Sequence, residues 1–135
     1  MRLYGWCLLG LLSLHAAATD VIAHRAVPGD TLSLASARAL FGLRLSRWPD
    51  GLPVKLFVLP DSNPVHTMLC KEQLNLYPYQ LRQSWDRLVY SGMAQAPIEV
   101  ANEEEMISRV AKTPGALGYV GKVKKNDAIK KLAIQ

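Results

Sequence analysis

The stretch from Lys112 to Val120 places a hydroxyl and a backbone amide at a sharp turn. A charged helix is followed by a Pro-Gly pair, and then by an apolar run that is typical of a buried strand. Glycines on both sides of Ala116-Leu117 indicate that the backbone passes close to a neighbour, either packed chain or a ligand. Thr113 and Gly115 are therefore candidate ligand-binding residues, although a plain helix-to-strand turn explains the same pattern.

Residues suited to catalysis or metal binding are few. His24 and His66 are the histidines after residue 18, and neither lies at metal-ligand spacing from another His or Cys. The sequence contains no nucleophile elbow and no phosphate-binding P-loop. Three successive glutamates at 103–105 suit the first turn of a helix, where the helix dipole favours negative charge. We expect no catalytic residues, no enzyme activity, no metal site and no cofactor.

His66 has two interpretations. As an imidazolium on the first turn of a helix it would meet an unfavourable dipole unless an anion were bound; otherwise it is a neutral histidine at the surface. Arg44 and Arg47 either add positive charge near the same loop or face solvent. Cys70, alone after residue 18, lies in an apolar helical stretch. That setting favours a buried structural thiol over a reactive one. Because Cys70 is the single cysteine after residue 18, no intramolecular disulfide can form there.

Residues 1–18 have the pattern of a cleavable signal peptide. Arg2 supplies the positive start, Leu3 to Leu14 is apolar, and Ala16-Ala17-Ala18 supplies the small residues that signal peptidase reads. The alternative is a transmembrane anchor, but the apolar run falls short of the about 20 residues that span a bilayer. We expect cleavage after Ala18, which makes residues 19–135 one exported, periplasmic domain.

The formal net charge of +5 is concentrated near the C-terminus. Basic and acidic residues balance over residues 19–121, and five lysines within residues 122–131 carry the excess. A basic tail could attract acidic partners or anionic lipid, whereas a solvated loop and edge strand explain it equally simply. Because the chain lacks interleaved aromatic and basic residues, we do not expect it to bind nucleic acid.

Hydrophobic periodicity predicts strands that alternate with helices. Strands are predicted at residues 20–25, 54–59, 117–120 and 129–134, and helices after the caps Ser33, Asn63 and Asn102 and from Pro78 to about Gly92. Glu105 can complete a capping box with Asn102, and residues 42–52 are predicted to be irregular. The strand at 54–59 is almost continuously apolar, which indicates burial on both faces. The pattern is typical of an α/β domain with a mixed or mostly parallel sheet.

Several segments, taken in order, resemble the periplasmic phosphate-binding proteins of ABC importers and a set of short single-domain relatives. The segments are Leu40-Phe41-Gly42, Arg47 to Gly51, Val54 to Pro60, Gln80-Leu81 with Trp85, Tyr90-Ser91-Gly92, Glu105 to Ala111 and Thr113 to Val120. The resemblance runs from Leu32 to Val120. It implies a compact, three-layer-like α/β domain, a mixed sheet with flanking helices, related to one lobe of a type II periplasmic binding protein. It also implies that the second lobe is largely missing.

The resemblance further implies where a ligand would bind. In that family the loop after the second strand holds the anion with an Arg, an Asp and a Ser-Gly-Thr turn at a helix N-terminus. Here the loop is residues 60–67, in which the arginine and the turn glycines are missing and two prolines each remove a backbone donor. The candidate ligand-binding residues are Ser62, Asn63, His66 and Thr67, together with Thr113 and Gly115.

We therefore predict a solute-binding-type protein that binds a small oxyanion, phosphate by resemblance, and passes it to an inner-membrane transporter or sensor component. The alternative is a binding-protein-like interaction module that has lost its anion site and contacts such a membrane component directly. The substituted loop and the basic tail favour this alternative, and the turn at residues 113–120 favours the first. A ligand enclosed between two copies of the chain is a further hypothesis.

Overall fold

The computed structural model describes residues 19–135. The signal peptide predicted for residues 1–18 lies outside the described residues. Within 19–135, no helix combines the length and the apolar character needed to cross a bilayer.

Strands and helices alternate along the chain as the periodicity predicts. The strands are β1 (Asp20–His24), β2 (Thr31–Leu32), β3 (Lys55–Val58), β4 (Ile98–Glu99), β5 (Ala116–Val120) and β6 (Ile129–Ile134). The helices are α1 (Leu34–Phe41), α2 (Pro64–Met68), α3 (Pro78–Tyr90) and α4 (Glu103–Lys112), and a π-helical turn (Leu69–Gln73) continues α2. The predicted α/β class and the irregular segment after α1 are both confirmed.

The helices begin at the predicted caps. The side chains of Ser33, Asn63 and Asn102 each accept a hydrogen bond from a backbone N–H in the first turn of the following helix. Glu105 also reaches back over the start of α4, but its carboxylate accepts from the N–H of Ala101 rather than from that of the cap residue. These bonds satisfy donors that the first turn of a helix leaves without partners.

The sheet is mixed and has the strand order β2-β6-β1-β5-β3-β4. Strand β1 lies near the centre and pairs antiparallel with both β5 and β6. Strand β3 pairs parallel with β5 and with β4. The carboxyl ends of β3, β4 and β5 therefore meet at one edge of the sheet, the usual position of ligand sites in open α/β sheets.

Three features depart from the sequence prediction. Strands β2 and β4 have two residues each and were not predicted, because a pair of residues shows no period. The helix predicted to run from Asn63 towards Leu74 widens after Met68, where the N–H of Leu74 bonds to the carbonyl of Leu69. The predicted strand 54–59 shortens to Lys55–Val58, because the N–H of Leu59 is taken by a side chain rather than by the sheet.

The glycine turn before β5 packs against chain. Gly115 has φ +83°, and a Cβ there would overlap the carbonyl oxygen of Pro53. The Gly115 carbonyl accepts hydrogen bonds from the N–H of Lys55 and from the indole N–H of Trp48, each at 3.0 Å. The sequence left open whether the backbone at Gly115 approaches packed chain or a ligand, and the structure shows packed chain. These contacts join the irregular segment after α1 to the amino ends of β3 and β5.

Gly115→Ala should destabilise the fold by more than Gly92→Ala. Both residues have positive φ, so both substitutions add strain of about 1 kcal/mol, but a Cβ at Gly92 meets no atom within 4 Å. At Gly115 the clash with Pro53 adds to this strain, and we expect a loss of at least about 3 kcal/mol in the free energy of unfolding. Urea denaturation of the two variants measures the difference; equal losses would mean that the turn is not held against Pro53.

Candidate functional site

The loop predicted to carry the ligand lies at the carboxyl edge of the parallel strands. Residues 60–67 follow β3 directly, Gly121 follows β5, and Asn102, at the start of α4, follows β4. We call this region, with Arg82 and Glu103, the Asp61 edge. Its position agrees with the general rule for ligand sites in such sheets.

A buried hydrogen-bond network holds the loop in place. The N–H of Leu59 donates to the hydroxyl of Tyr119 at 2.8 Å, and the same hydroxyl makes a short hydrogen bond with Nδ1 of His66. Both side chains are fully buried, so the interpretation of His66 as a surface histidine is wrong. Tyr119, from β5, thus ties the end of β3 to the first turns of α2.

The network also fixes the state of the imidazole. Nε2 faces a carboxylate oxygen of Asp61, which can only accept, so we assign the imidazole proton to Nε2; the Tyr119 hydroxyl, which accepts from Leu59, then donates to Nδ1. Nε2 lies 3.5 Å from a carboxylate oxygen of Asp61 and 3.8 Å from the sulfur of Cys70. Burial lowers the pKa of His66 below 6.5 and outweighs the opposing effect of Asp61, so the ring is neutral at pH 7.

Arg82 supplies a cation that the loop sequence lacks. Its guanidinium, from α3, donates to Asp61 at 2.9 Å, and both side chains are close to half-exposed. The same guanidinium stacks over the ring of Trp85, one turn along the helix, at 5.0 Å. Sequence reasoning missed Arg82, because it is 21 residues from Asp61 in the chain. The only available signal was its position beside the apolar face of α3.

Most backbone donors of the loop already have partners. The N–H of Val65 donates to the side chain of Asn63, those of His66 and Thr67 donate to the Asn63 carbonyl, and Pro64 has none. The exceptions are the N–H groups of Asp61 and Ser62, which have no partner within residues 19–135; the hydroxyls of Ser62 and Thr67 are likewise without one there. The N-terminus of α2 is therefore capped by the chain itself.

A carboxylate also occupies the N-terminus of α4. Glu103 accepts a hydrogen bond from the N–H of Gly121 at 2.6 Å, which joins α4 to the end of β5. Val65 lies close to the same glycine, so this contact belongs to the Asp61 edge. An anion that approached the α4 N-terminus would meet the negative charge of Glu103.

The structure does not bring all the predicted ligand-binding residues together. Ser62, Asn63, His66 and Thr67 share the Asp61 edge, whereas Thr113 and Gly115 precede β5 at the opposite end of the sheet. With a rise of about 3.3 Å per residue, the two groups are on the order of 15–20 Å apart. Arg47 belongs to the second group, since it pairs with Pro53 and donates to the carbonyl of Gly51.

Cys70 has the surroundings of a structural thiol. Cys70 is buried, as predicted, and burial raises the pKa of its thiol to about 12, so the nucleophilic thiolate is scarcely populated at neutral pH. Among the described residues, no three His, Cys, Asp or Glu side chains converge in a way that could hold a metal ion.

The burial of neutral His66 should make stability depend on pH. The unfolded chain takes up a proton below about pH 6.5 while the buried ring stays neutral, so the free energy of unfolding falls as the pH drops from neutral to about 5. Below about pH 6.5 each further pH unit lowers the free energy of unfolding by about 1.4 kcal/mol for as long as the buried ring stays neutral. His66→Gln should flatten the curve in urea denaturation; parallel curves for the variant and the parent chain would contradict the assignment.

Comparison with known proteins identifies the fold. No family model matches the chain, and no curated protein matches it. Solved structures do match, among them a phosphate ABC transporter substrate-binding protein with bound phosphate from Clostridium perfringens, at 14% identity and a TM-score of 0.65. An ABC-type phosphate transport receptor from Vibrio cholerae matches at 11% identity and a TM-score of 0.64. PstS from Borrelia burgdorferi matches at 10% identity and a TM-score of 0.63.

The shares of each chain that match show how much of these proteins is represented. Each alignment covers 87% of this chain but only 44%, 46% and 47%, respectively, of the three proteins. The chain therefore spans less than half their length. At these identities the likeness establishes the fold alone, and in that respect it confirms the resemblance seen in the sequence: the chain has the α/β fold of one lobe of the matched proteins.

Proposed function

We propose that this chain is a solute-binding-type protein that binds a small oxyanion, with phosphate as the ligand, at the Asp61 edge. The observation that carries the proposal is the pairing of Arg82 with Asp61 beside the free N–H and hydroxyl of Ser62. This combination lies at the carboxyl edge of a fold shared with phosphate-binding proteins. Binding is non-covalent, and no step of chemistry is required of the residues.

Each group at this edge has a distinct part in the proposed binding. Arg82 is partly exposed and uses one nitrogen on Asp61, so its other N–H groups remain available to the ligand oxygens. Ser62 adds a backbone donor and a hydroxyl. Asp61 can only accept a hydrogen, so it favours an oxyanion that carries a proton, such as monohydrogen phosphate, over sulfate.

The proposed site is one side of a cleft. In a type II binding fold the ligand lies between two lobes, and this chain spans less than half the length of the matched proteins. Arg82 and Asp61 are close to half-exposed, so an anion held by these two residues alone would stay partly hydrated, which limits the strength of its hydrogen bonds. In this proposal the ligand then passes from the Asp61 edge to an inner-membrane transporter or sensor component.

A second candidate function is an interaction module without a ligand. It is favoured by the self-capped N-terminus of α2 and by Glu103, which occupies the N-terminus of α4. In this case the lobe would contact a membrane sensor or transporter component directly, and the pair of Asp61 with Arg82 would serve to fix the loop.

Calorimetric titration with phosphate at low salt separates the two candidates. We expect saturable heat with the parent chain, weaker binding of sulfate, and a loss of about ten- to a hundredfold in affinity in Arg82→Gln, since a hydrogen bond to a charged group contributes about 1.5–3 kcal/mol. Arg109→Gln is the matched control, because Arg109 is also a partly exposed, ion-paired helix arginine, on α4.

The outcomes have separate meanings. Heat that disappears in Arg82→Gln and persists in Arg109→Gln supports oxyanion binding at the Asp61 edge. Heat that disappears in neither variant places the anion elsewhere and contradicts this site. No heat at millimolar phosphate contradicts the first candidate and favours the interaction module.

Export to the periplasm is part of the proposal and has its own test. The intact mass of protein from a periplasmic fraction should correspond to residues 19–135, because signal peptidase requires small side chains at Ala16 and Ala18. Ala18→Arg should block processing, whereas Ala17→Arg should be tolerated. A periplasmic protein that retains residue 1, or processing that survives Ala18→Arg, would exclude cleavage at this position.

A further inference from the structure

A groove lies at the end of the sheet opposite the Asp61 edge. It has a volume of about 450 Å³ and lies between the segment after α1, the start of β3 and the segment that joins α3 to β4. We call it the β4 groove. Its apolar lining comes mainly from Leu40, Leu43, Leu45, Val54, Leu56 and Ile98. Volumes of this size hold a few side chains of a partner or a small ligand.

The charged residues that line the β4 groove are all positive. Arg47 and Lys55 are the charged residues of its lining, and no Asp or Glu is among the lining residues. Apolar walls around two cations favour an occupant that is apolar and carries negative charge.

The apolar surface continues beyond the cavity. Met93 on the rim is 76% exposed, and Tyr90, in the last turn of α3 just before it, is 89% exposed; Val89 and Ile98 are also exposed. Exposed apolar residues grouped beside a groove are typical of a surface that binds another protein. Methionine is well suited to such a surface because its unbranched side chain adapts to the partner. A small ligand confined to the cavity would leave Tyr90 and Val89 unexplained.

Backbone groups on the groove wall suit an extended partner. The N–H groups of Met93 and Ala94 bond to the carbonyl of Leu88, but those of Gln95 and Ala96 have no partner within the described part of the chain. Free donors next to β4, a strand at the edge of the sheet, allow main-chain hydrogen bonds to a segment laid alongside.

We propose that the β4 groove binds an extended segment of a partner protein, in which apolar side chains alternate with carboxylates. The apolar side chains would fill the cavity and cover Met93, the carboxylates would meet Arg47 and Lys55, and the backbone would pair with the segment that precedes β4. A second copy of this chain is a poorer occupant. In a symmetric contact of two such grooves, the cations of each copy would face those of the other.

This inference does not depend on the proposed function. The β4 groove and the Asp61 edge lie at opposite ends of β3, so peptide binding and phosphate binding can fail separately. Phosphate should leave peptide affinity unchanged, and Arg82→Gln should have no effect on it.

The test is an NMR titration of the purified, ¹⁵N-labelled chain with a blocked hexapeptide in which leucines alternate with aspartates. We expect saturable shifts of the amide signals of Leu45, Gln95 and Ala96. The Met93→Asp variant should weaken binding by at least about tenfold, because it removes an apolar contact and repels the peptide. Tyr79→Asp is the control, since Tyr79 is, like Met93, an exposed large hydrophobic residue but lies at the amino end of α3, away from the groove.

Charge reversal tests the stated chemistry of the partner. Lys55→Glu should weaken the aspartate peptide by about fivefold and strengthen a peptide with lysines in place of the aspartates. Equal affinity of the parent chain for both peptides, or no shifts at millimolar peptide, would overturn the proposal. Two further results would also overturn the proposal. One is that hexanoate, a small apolar anion, binds the groove as tightly as the peptide does. The other is that the free chain forms a dimer that the Met93→Asp substitution dissociates.

Discussion

The candidate site depends on the hydrogen bonds that the Tyr119 hydroxyl makes. Tyr119 is fully buried, and every residue of its strand, β5, is buried as well. Its hydroxyl therefore needs hydrogen-bond partners, because an unsatisfied buried hydroxyl costs about 1–3 kcal/mol. It finds them in the N–H of Leu59 and in the ring of His66. Three elements, β5, β3 and α2, thus meet at one oxygen atom, and the position of Asp61 follows from that meeting, since it lies between Leu59 and His66 in the chain.

The parts of the fold that sequence reasoning predicted are those encoded locally. Ser33 and Asn102 are short polar residues just before an apolar period of 3.6, and a helix begins after each of them. The turn at Gly115 is also encoded locally, because its positive φ favours glycine at that position. Such signals act within a few residues, so a single sequence displays them fully.

The features that were missed depend on distant residues. Nothing near His66 in the sequence indicates burial, because its partner, Tyr119, is 53 residues away. Arg82 meets Asp61 only through the packing of α3 beside the loop, so the loop sequence taken alone lacked a cation. The grouping of Thr113 with Ser62 failed for the same reason: both residues flank strands of one parallel pair, but at opposite ends, and only the register of β3 with β5 separates them.

Capping of the helices by the chain's own side chains gives a physical reason for the scarcity of free donors at the carboxyl edge. In a closed cleft, helix N-termini that point at a ligand can leave their N–H groups for the anion, because the second lobe excludes competing water. At the Asp61 edge, side chains of the chain itself satisfy such N–H groups: Asn63 on α2, and Asn102 with Glu105 at the start of α4. This self-capping stabilises the two helices but leaves few donors for a ligand. An anion at the Asp61 edge would therefore be held by Arg82, the N–H groups of Asp61 and Ser62, and the hydroxyls of Ser62 and Thr67, which are the donors that have spare capacity within the described residues.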